Sequence, residues 1–473
     1  VTGGVDGKGV GASEGAGAGA GTGGIAARIA EFASGLTLAD VPPDVAEKAR
    51  VCLLWAYGIG LPALAMPPVR QAAAVALAAD GAQPGGATLL CSGDGTSPSG
   101  AAFANAVLIA ARAQSDTCGA VHVGGIVVPV LTALSQTGGY PADRLLPALI
   151  VGFEVAGLLD LAHGGASSAR GFRSTQVYGS IAAAAAAGRL MGLDAPAMAS
   201  AISAAACFSG GLLEPFNAGS DEWRFQYGVA ARAGLLAAQM ARAGIVGAPR
   251  AIEGSAGLIR AFAGEDADGP ALLAPLGRDW SIRRALFKPY PVCASNQTLV
   301  VAALALRDKL AGRAVARLRI DMNPFRLAYP GQAERGPFAS VNATVMSVPF
   351  AVALSLTHGA PGVGGMANFD DAEVNRLCAG AELVADPAMT DAFHCRIRAV
   401  LPDGGHVEHA EALSPAHFAF DRARAAALAR DCGAEAGVPA AAHDLIEAFA
   451  DDPARTGIAP VLAAFSLARI AMR

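Results

Sequence analysis

A chain of 473 residues exceeds what one ordinary core organises, which predicts two or three domains. Its hydrophobic share of 53% and mean hydropathy of +0.41 rest largely on alanine, and the uncharged run 51–69 is interrupted by Gly58, Gly60, Pro62, Pro67 and Pro68, which predicts a buried helix and a turn in a soluble protein rather than a membrane span. A net charge of −5 excludes bulk attraction to nucleic acid, so an anionic ligand must be held by local Arg and Lys.

Residues 1–24 are Gly/Ala-rich with almost no bulky side chains, and are expected to stay disordered because they cannot offset their ordering entropy. Gly7-Lys8-Gly9-Val10-Gly11 follows no strand and lacks Walker spacing, so it reads as low complexity rather than a phosphate loop; the stretch shows no basic-then-apolar signal pattern. From Ile25 the period is helical, with Ile25, Ile29, Phe32 and Ala33 on one stripe up to Gly35. Further helices are predicted over 45–58, 72–79, 100–112, 126–136, 145–161, 179–191, 195–208, 228–243 and 296–310. Small residues dominate them, permitting close axis-to-axis packing, and no strand signal stands out in this region.

The hexapeptide Lys288-Pro289-Tyr290-Pro291-Val292-Cys293 interrupts the series, because its prolines push Lys288 and Tyr290 toward extended backbone. It reads as a rigid seam carrying a cation, a phenol and a thiol. Beyond it Leu318, Ile320 and Met322 alternate with Arg317, Arg319 and Asp321, a half-buried strand. Cys395, Ile397 and Ala399 alternate with polar neighbours, and Asp403-Gly404-Gly405 turns the chain into 406–411, a hairpin. Helices follow over 418–429, 443–450 and 460–472. The predicted organisation is mainly α: a tail (1–24), a large all-helical domain (25–285), an inserted smaller α+β domain (286–412), and C-terminal helices (413–473) returning to the first domain.

Asp116, Thr117, Cys118 and His122 lie between two predicted helices, and a carboxylate, hydroxyl and imidazole so close can orient a proton-transfer histidine. Equally, Asp116 caps a turn and His122 satisfies loop backbone. Arg170 and Arg173 precede a helix start, where free N–H groups and guanidinium favour an anion; a solvated charged loop is the alternative. Asp221 and Glu222, beside Trp223 and Arg224, read as ordinary helix-dipole complements. Cys293 reads as an inert thiol rather than a nucleophile, and His394, His406 and His409 as strand histidines rather than metal ligands. The eight cysteines show no C-x-x-C pair, which predicts reduced thiols in a cytoplasmic protein.

Seven motifs in order carry a resemblance: "AAFANA" (101–106), "DT" (116–117) with His122 and Pro129, "GFEV" (152–155), "RGF..T...G" (170–179), "G.AARAG" (228–234), "EG..GL" (253–258) and "KPYPVC" (288–293). Over about residues 25–470 the chain resembles the MmgE/PrpD family, which includes 2-methylcitrate dehydratase, cis-aconitate decarboxylase and iminodisuccinate epimerase. The resemblance implies a helical domain, an α+β lid inserted before the last helices, a homodimer, and cofactor-free, metal-free chemistry on small polycarboxylates. Beside that resemblance, acid/base roles are expected for Lys288 and His122, orientation of the histidine or the substrate by Asp116 and Thr117, and carboxylate clamping by Arg173 and Arg224, with Tyr329 a further candidate from the lid. The chain departs from the family pattern in having Ala113 for an aspartate, Arg173 for a histidine, Trp223 for a lysine, and Asn296 near a missing histidine. The expected activity is a dehydratase-type lyase, ahead of an epimerase and of a non-catalytic polycarboxylate-binding homologue.

Overall fold

A computed structural model describes residues 23–472; the expected tail, apart from Gly23 and Gly24, lies outside the described residues, as does the Gly7–Gly11 string. The first half of the chain is helical: α1 (Ile25–Gly35), α2 (Pro43–Gly60), α3 (Pro67–Asp80), α4 (Pro98–Ala110), α5 (Val123–Thr137), α6 (Leu145–Ala169), α7 (Ser174–Met191), α8 (Ala195–Cys207), α9 (Glu214–Ala218) and α10 (Glu222–Arg242). A two-residue antiparallel pair, β1 (Ala87–Thr88) and β2 (Gly95–Thr96), joins α3 to α4, so this region is not wholly helical.

Composition explains the packing. Ala182–Ala187 of α7 are fully buried on every side, and α7 lies against α5, α6, α8 and α10. A helix surrounded in this way must be apolar all round, and small side chains let its neighbours approach. Gly234, in the "G.AARAG" motif, marks one such approach, since a Cβ there would lie 2.4 Å from the Ser180 carbonyl oxygen. The 142–169 segment is long and apolar enough to cross a membrane, yet 89% of its most apolar window is buried within the fold. The uncharged run 51–69 bends as expected: α2 and α3 meet at 97°.

Several helices begin earlier than the hydrophobic period suggests. α10 starts at Glu222 rather than 228, because its first turn is polar and charged. α6 continues to Ala169 because Asp160 and His163 meet partners: Ala120 N–H donates to Asp160 Oδ2 at 2.7 Å, and Glu265 lies 2.9 Å from His163 Nδ1.

Beyond the seam, β3 (Arg317–Met322), β4 (Glu382–Ala385), β5 (His394–Val400) and β6 (His406–Ala412) form one sheet in the order β4-β3-β5-β6. β4 is parallel to β3; the other pairs are antiparallel. Leu318, Ile320, Met322, Cys395, Ile397 and Ala399 are buried, and the helix Gln297–Leu310 packs on β5 and β6. β4 has no buried residue, which is why its period escapes the sequence. The chain then returns to α2. Phe420 packs edge-on to Trp55 (5.6 Å), Arg422 grips Glu47 through two bonds of 2.7 and 2.8 Å, and Tyr57 meets Phe449 and Phe465 at 5.8 and 6.3 Å.

Candidate active site

The seam is held from both sides by buried amides. Gln114 Nε2 donates to the Pro289 carbonyl (2.8 Å). Gln297 accepts from Tyr290 N–H (3.2 Å) and donates to the Tyr290 and Val292 carbonyls (3.0 and 3.1 Å). Two reciprocal 2.8 Å backbone bonds join Leu286 to Thr117, so the seam and the Asp116–His122 loop are one construction. Lys288 is 6% exposed; its backbone carbonyl accepts a long bond from Gln114 Nε2 (3.5 Å), and its ammonium has no hydrogen-bond partner among the described residues. Burial brings its pKa down to about 8, assisted by Arg173 and opposed by Cys293 and Asp116. Cys293 is half-buried beside it.

His122 Nδ1 lies 2.7 Å from the backbone carbonyl oxygen of Asp116. A carbonyl only accepts, so Nδ1 carries the proton and Nε2 keeps its lone pair. The ring stacks on Tyr227 at 5.4 Å, and Tyr227 in turn bonds Ser115 (3.0 Å). Burial, then the charges of Lys288 and Arg173, hold the imidazole well below its ordinary pKa, so it is neutral near pH 7. The Asp116 carboxylate faces the other way and accepts from Gly124 N–H (3.0 Å) at the start of α5. Burial raises its pKa to about 6, against the Gly124 bond, Lys288 and Lys48. The Asp116 carboxylate thus takes up a free N–H at the start of α5, and the same residue's backbone carbonyl fixes the His122 ring. Thr117 contributes its backbone pairing to Leu286, and its hydroxyl has no partner among the described residues.

Arg173, 3% exposed, immediately precedes α7. It donates to the Trp223 carbonyl and to Gln226 Oε1 (3.0 Å). Its guanidinium lies 5.0, 5.1 and 5.6 Å from the rings of Tyr227, Phe216 and Trp223. Among the described residues it has no carboxylate partner, and a buried cation left so is a strong attractor for an anion. Arg224, expected as a second clamp, has partners within the protein. Its Nε donates to the Ala111 carbonyl (3.2 Å), and its Nη1 meets Asp221 (3.4 Å) and Asn342 Oδ1. Asn342 also accepts from Trp223 Nε1 (2.9 Å) and donates to Asp221 (2.7 Å), tying the start of α10 to the segment after β3. Tyr329 is half-buried, packs on Phe216 at 6.0 Å, and lines a cleft of about 680 Å³ between the helical region and the sheet region.

A family model of the MmgE/PrpD N-terminal domain matches residues 27–269, and one of the MmgE/PrpD C-terminal domain matches residues 290–430. The chain belongs to the MmgE/PrpD family.

A cis-aconitate decarboxylase-like protein of Aspergillus oryzae is 33% identical over 233 residues, 46% of this chain and 47% of that protein. A cis-aconitate decarboxylase of Aspergillus terreus is 29% identical over 226 residues, 46% of each chain. That of Homo sapiens is 34% identical over 150 residues, 30% of this chain and 31% of its own. The match thus spans about half the length of the fungal relatives.

In this MmgE/PrpD chain Ala113 takes a left-handed backbone (φ 59°), a conformation that suits Asp or Asn better than Ala. Trp223 forms one wall around Arg173, and Asn296 Nδ2 donates to the Met346 carbonyl (2.9 Å). Gln114, Gln297, Phe216 and Tyr227 escaped the sequence reading. Glutamines beside an aspartate or a proline segment were their only signal, and aromatic partners 40 or more residues away gave none. The register sets His394 across from Ala412, His406 across from Val400, and His409 across from Ile397. Among the described residues no group of His, Cys, Asp or Glu is arranged to hold a metal ion.

Proposed function

We propose that this protein is a lyase of the dehydratase type that uses its own side chains to move a proton at the carbon next to a carboxylate of a small di- or tricarboxylate. The observation that carries this reading is the combination of His122 with a bare Nε2, the buried Lys288 ammonium and Arg173 without a counter-ion, each within reach of the others' charge. Arg173 would bind the substrate carboxylate and take up the negative charge that develops on it as the adjacent C–H bond breaks. His122 Nε2 would receive that proton, and the Lys288 ammonium would deliver one to the departing hydroxyl, so that water leaves and an olefin remains. With a carboxylate departing as CO2 instead, Lys288 would protonate the resulting carbanion, the outcome suggested by the decarboxylase names of the relatives. The sheet region, tied to α10 through Asn342, would close over the pocket as a lid.

Incubation in D2O with 2-methylcitrate, citrate, cis-aconitate and iminodisuccinate tests this. Olefin formation or CO2 release supports the lyase. α-Deuterium exchange with inversion and no bond cleavage would replace it by an epimerase, and binding with no turnover on any of the four would overturn the enzymatic reading.

A further inference from the structure

A substrate with two carboxylates presents two charges, and Arg173 accounts for one. Arg224 is engaged by Asp221, Asn342 and Ala111, so the second must be met elsewhere. Three arginines reach the 680 Å³ cleft beside Tyr329. Arg283 is gripped by Asp44 through bonds of 2.7 and 3.1 Å, and Arg284 by Asp279 at 2.7 Å. The Arg326 guanidinium has only a long bond to Ser295 Oγ (3.4 Å) and no carboxylate partner among the described residues. Asp160, the acid among the lining side chains, is itself buried and accepts from Ala120 N–H.

The walls are apolar. Phe325 and Leu161 are 61% and 54% exposed, unusual for large apolar side chains, and both line this cleft together with Phe393. A volume of this size suits a ligand larger than a bare tricarboxylate. The cleft also borders the inner site, because Tyr329 lines it while packing on Phe216, the ring beneath Arg173.

We propose that Arg326 binds a distal anionic group of the substrate, and that Phe325, Leu161 and Phe393 bury an apolar body attached to it. The substrate class is thus a carboxylic acid bearing a hydrophobic substituent and a second negative group, held between Arg173 inside and Arg326 at the cleft. This rests on the reading of the inner site as the reaction centre.

Calorimetric titration with succinate and benzylsuccinate tests it on the full chain. Wild-type protein is expected to bind benzylsuccinate about tenfold or more tighter than succinate, since burying a phenyl group is favourable. Arg326→Gln should weaken benzylsuccinate by about tenfold, and Arg326→Lys should recover most of that loss, as a charge-assisted contact requires. In turnover assays the Arg326→Gln effect should fall on KM more than on kcat. Equal affinity for the two probes, or unchanged benzylsuccinate binding in an Arg326→Gln protein with wild-type Tm, would overturn the proposal. Lys288-dependent turnover surviving that result would leave the lyase reading standing. Arg326-dependent binding without Lys288-dependent turnover would sink the lyase reading alone.

Discussion

Lys288 is an ammonium kept where its charge is poorly solvated, and this has consequences for both stability and rate. Its pKa falls from 10.5 to about 8 on folding, on the order of 3 kcal/mol against the charged form. Because the folded pKa is depressed, the folded state binds fewer protons between pH 8 and 10.5, so stability rises through that window and the penalty is complete below it. Lys288→Met is therefore expected to raise Tm by a few degrees at pH 7 while abolishing turnover, the gain shrinking toward pH 10.5 in thermal melts. If the ammonium is the acid, kcat/KM declines on the alkaline side with an apparent pKa near 8, and the acid limb, set by His122, lies below the ordinary histidine range. Lys288 was legible in the sequence because its prolines rule out a helix. Arg173 stood out in the sequence as a cation before a helix start, but its aromatic surroundings did not, since Phe216, Trp223 and Tyr227 arrive from 43 to 54 positions downstream. The surroundings of Arg224 were hidden for the same reason: its partner Asn342 lies 118 positions away.

Helix ends and crossings fix where these side chains stand. Gly124 in the first turn of α5 permits the Asp116 carboxylate to approach, because a Cβ there would come within 2.5 Å of Asp116 Oδ1. Gly124→Ala is expected to displace that carboxylate and the adjoining carbonyl that holds His122, lowering kcat/KM at least tenfold in steady-state assays. At the crossing of α7 and α10, Gly234→Val forces the backbones apart at Ser180 and should destabilise the protein by about 1–3 kcal/mol in denaturant titrations. Helix existence was readable from the small-residue period. Starts at Ile25, Leu145 and Ala195 were readable too; that of α10 was not, because its first turn Glu222–Arg224 is polar, and β4 escaped because its side chains are only partly covered.

The chain crosses from helical region to sheet and back to α2, leaving a cleft bounded by both regions and an Asn342 tie between them. Asn342→Ala would strand Arg224 and Asp221 without their shared partner, a loss of about 2–3 kcal/mol expected in thermal melts, with a higher KM as the sheet region loosens. This long-range closure could not be read from local pattern, whereas the order of the two regions could, since the hydrophobic period changes at the seam. Everything proposed for this molecule turns on two proton carriers, Lys288 and His122, close enough for the charge of one to act on the other. The most direct measurement is NMR of deuterium incorporation and product formation in D2O, with the best substrate of the panel, for wild type, Lys288→Met and His122→Gln. Both variants are expected to lose at least a hundredfold in rate while remaining folded; full turnover in both would contradict the assignment.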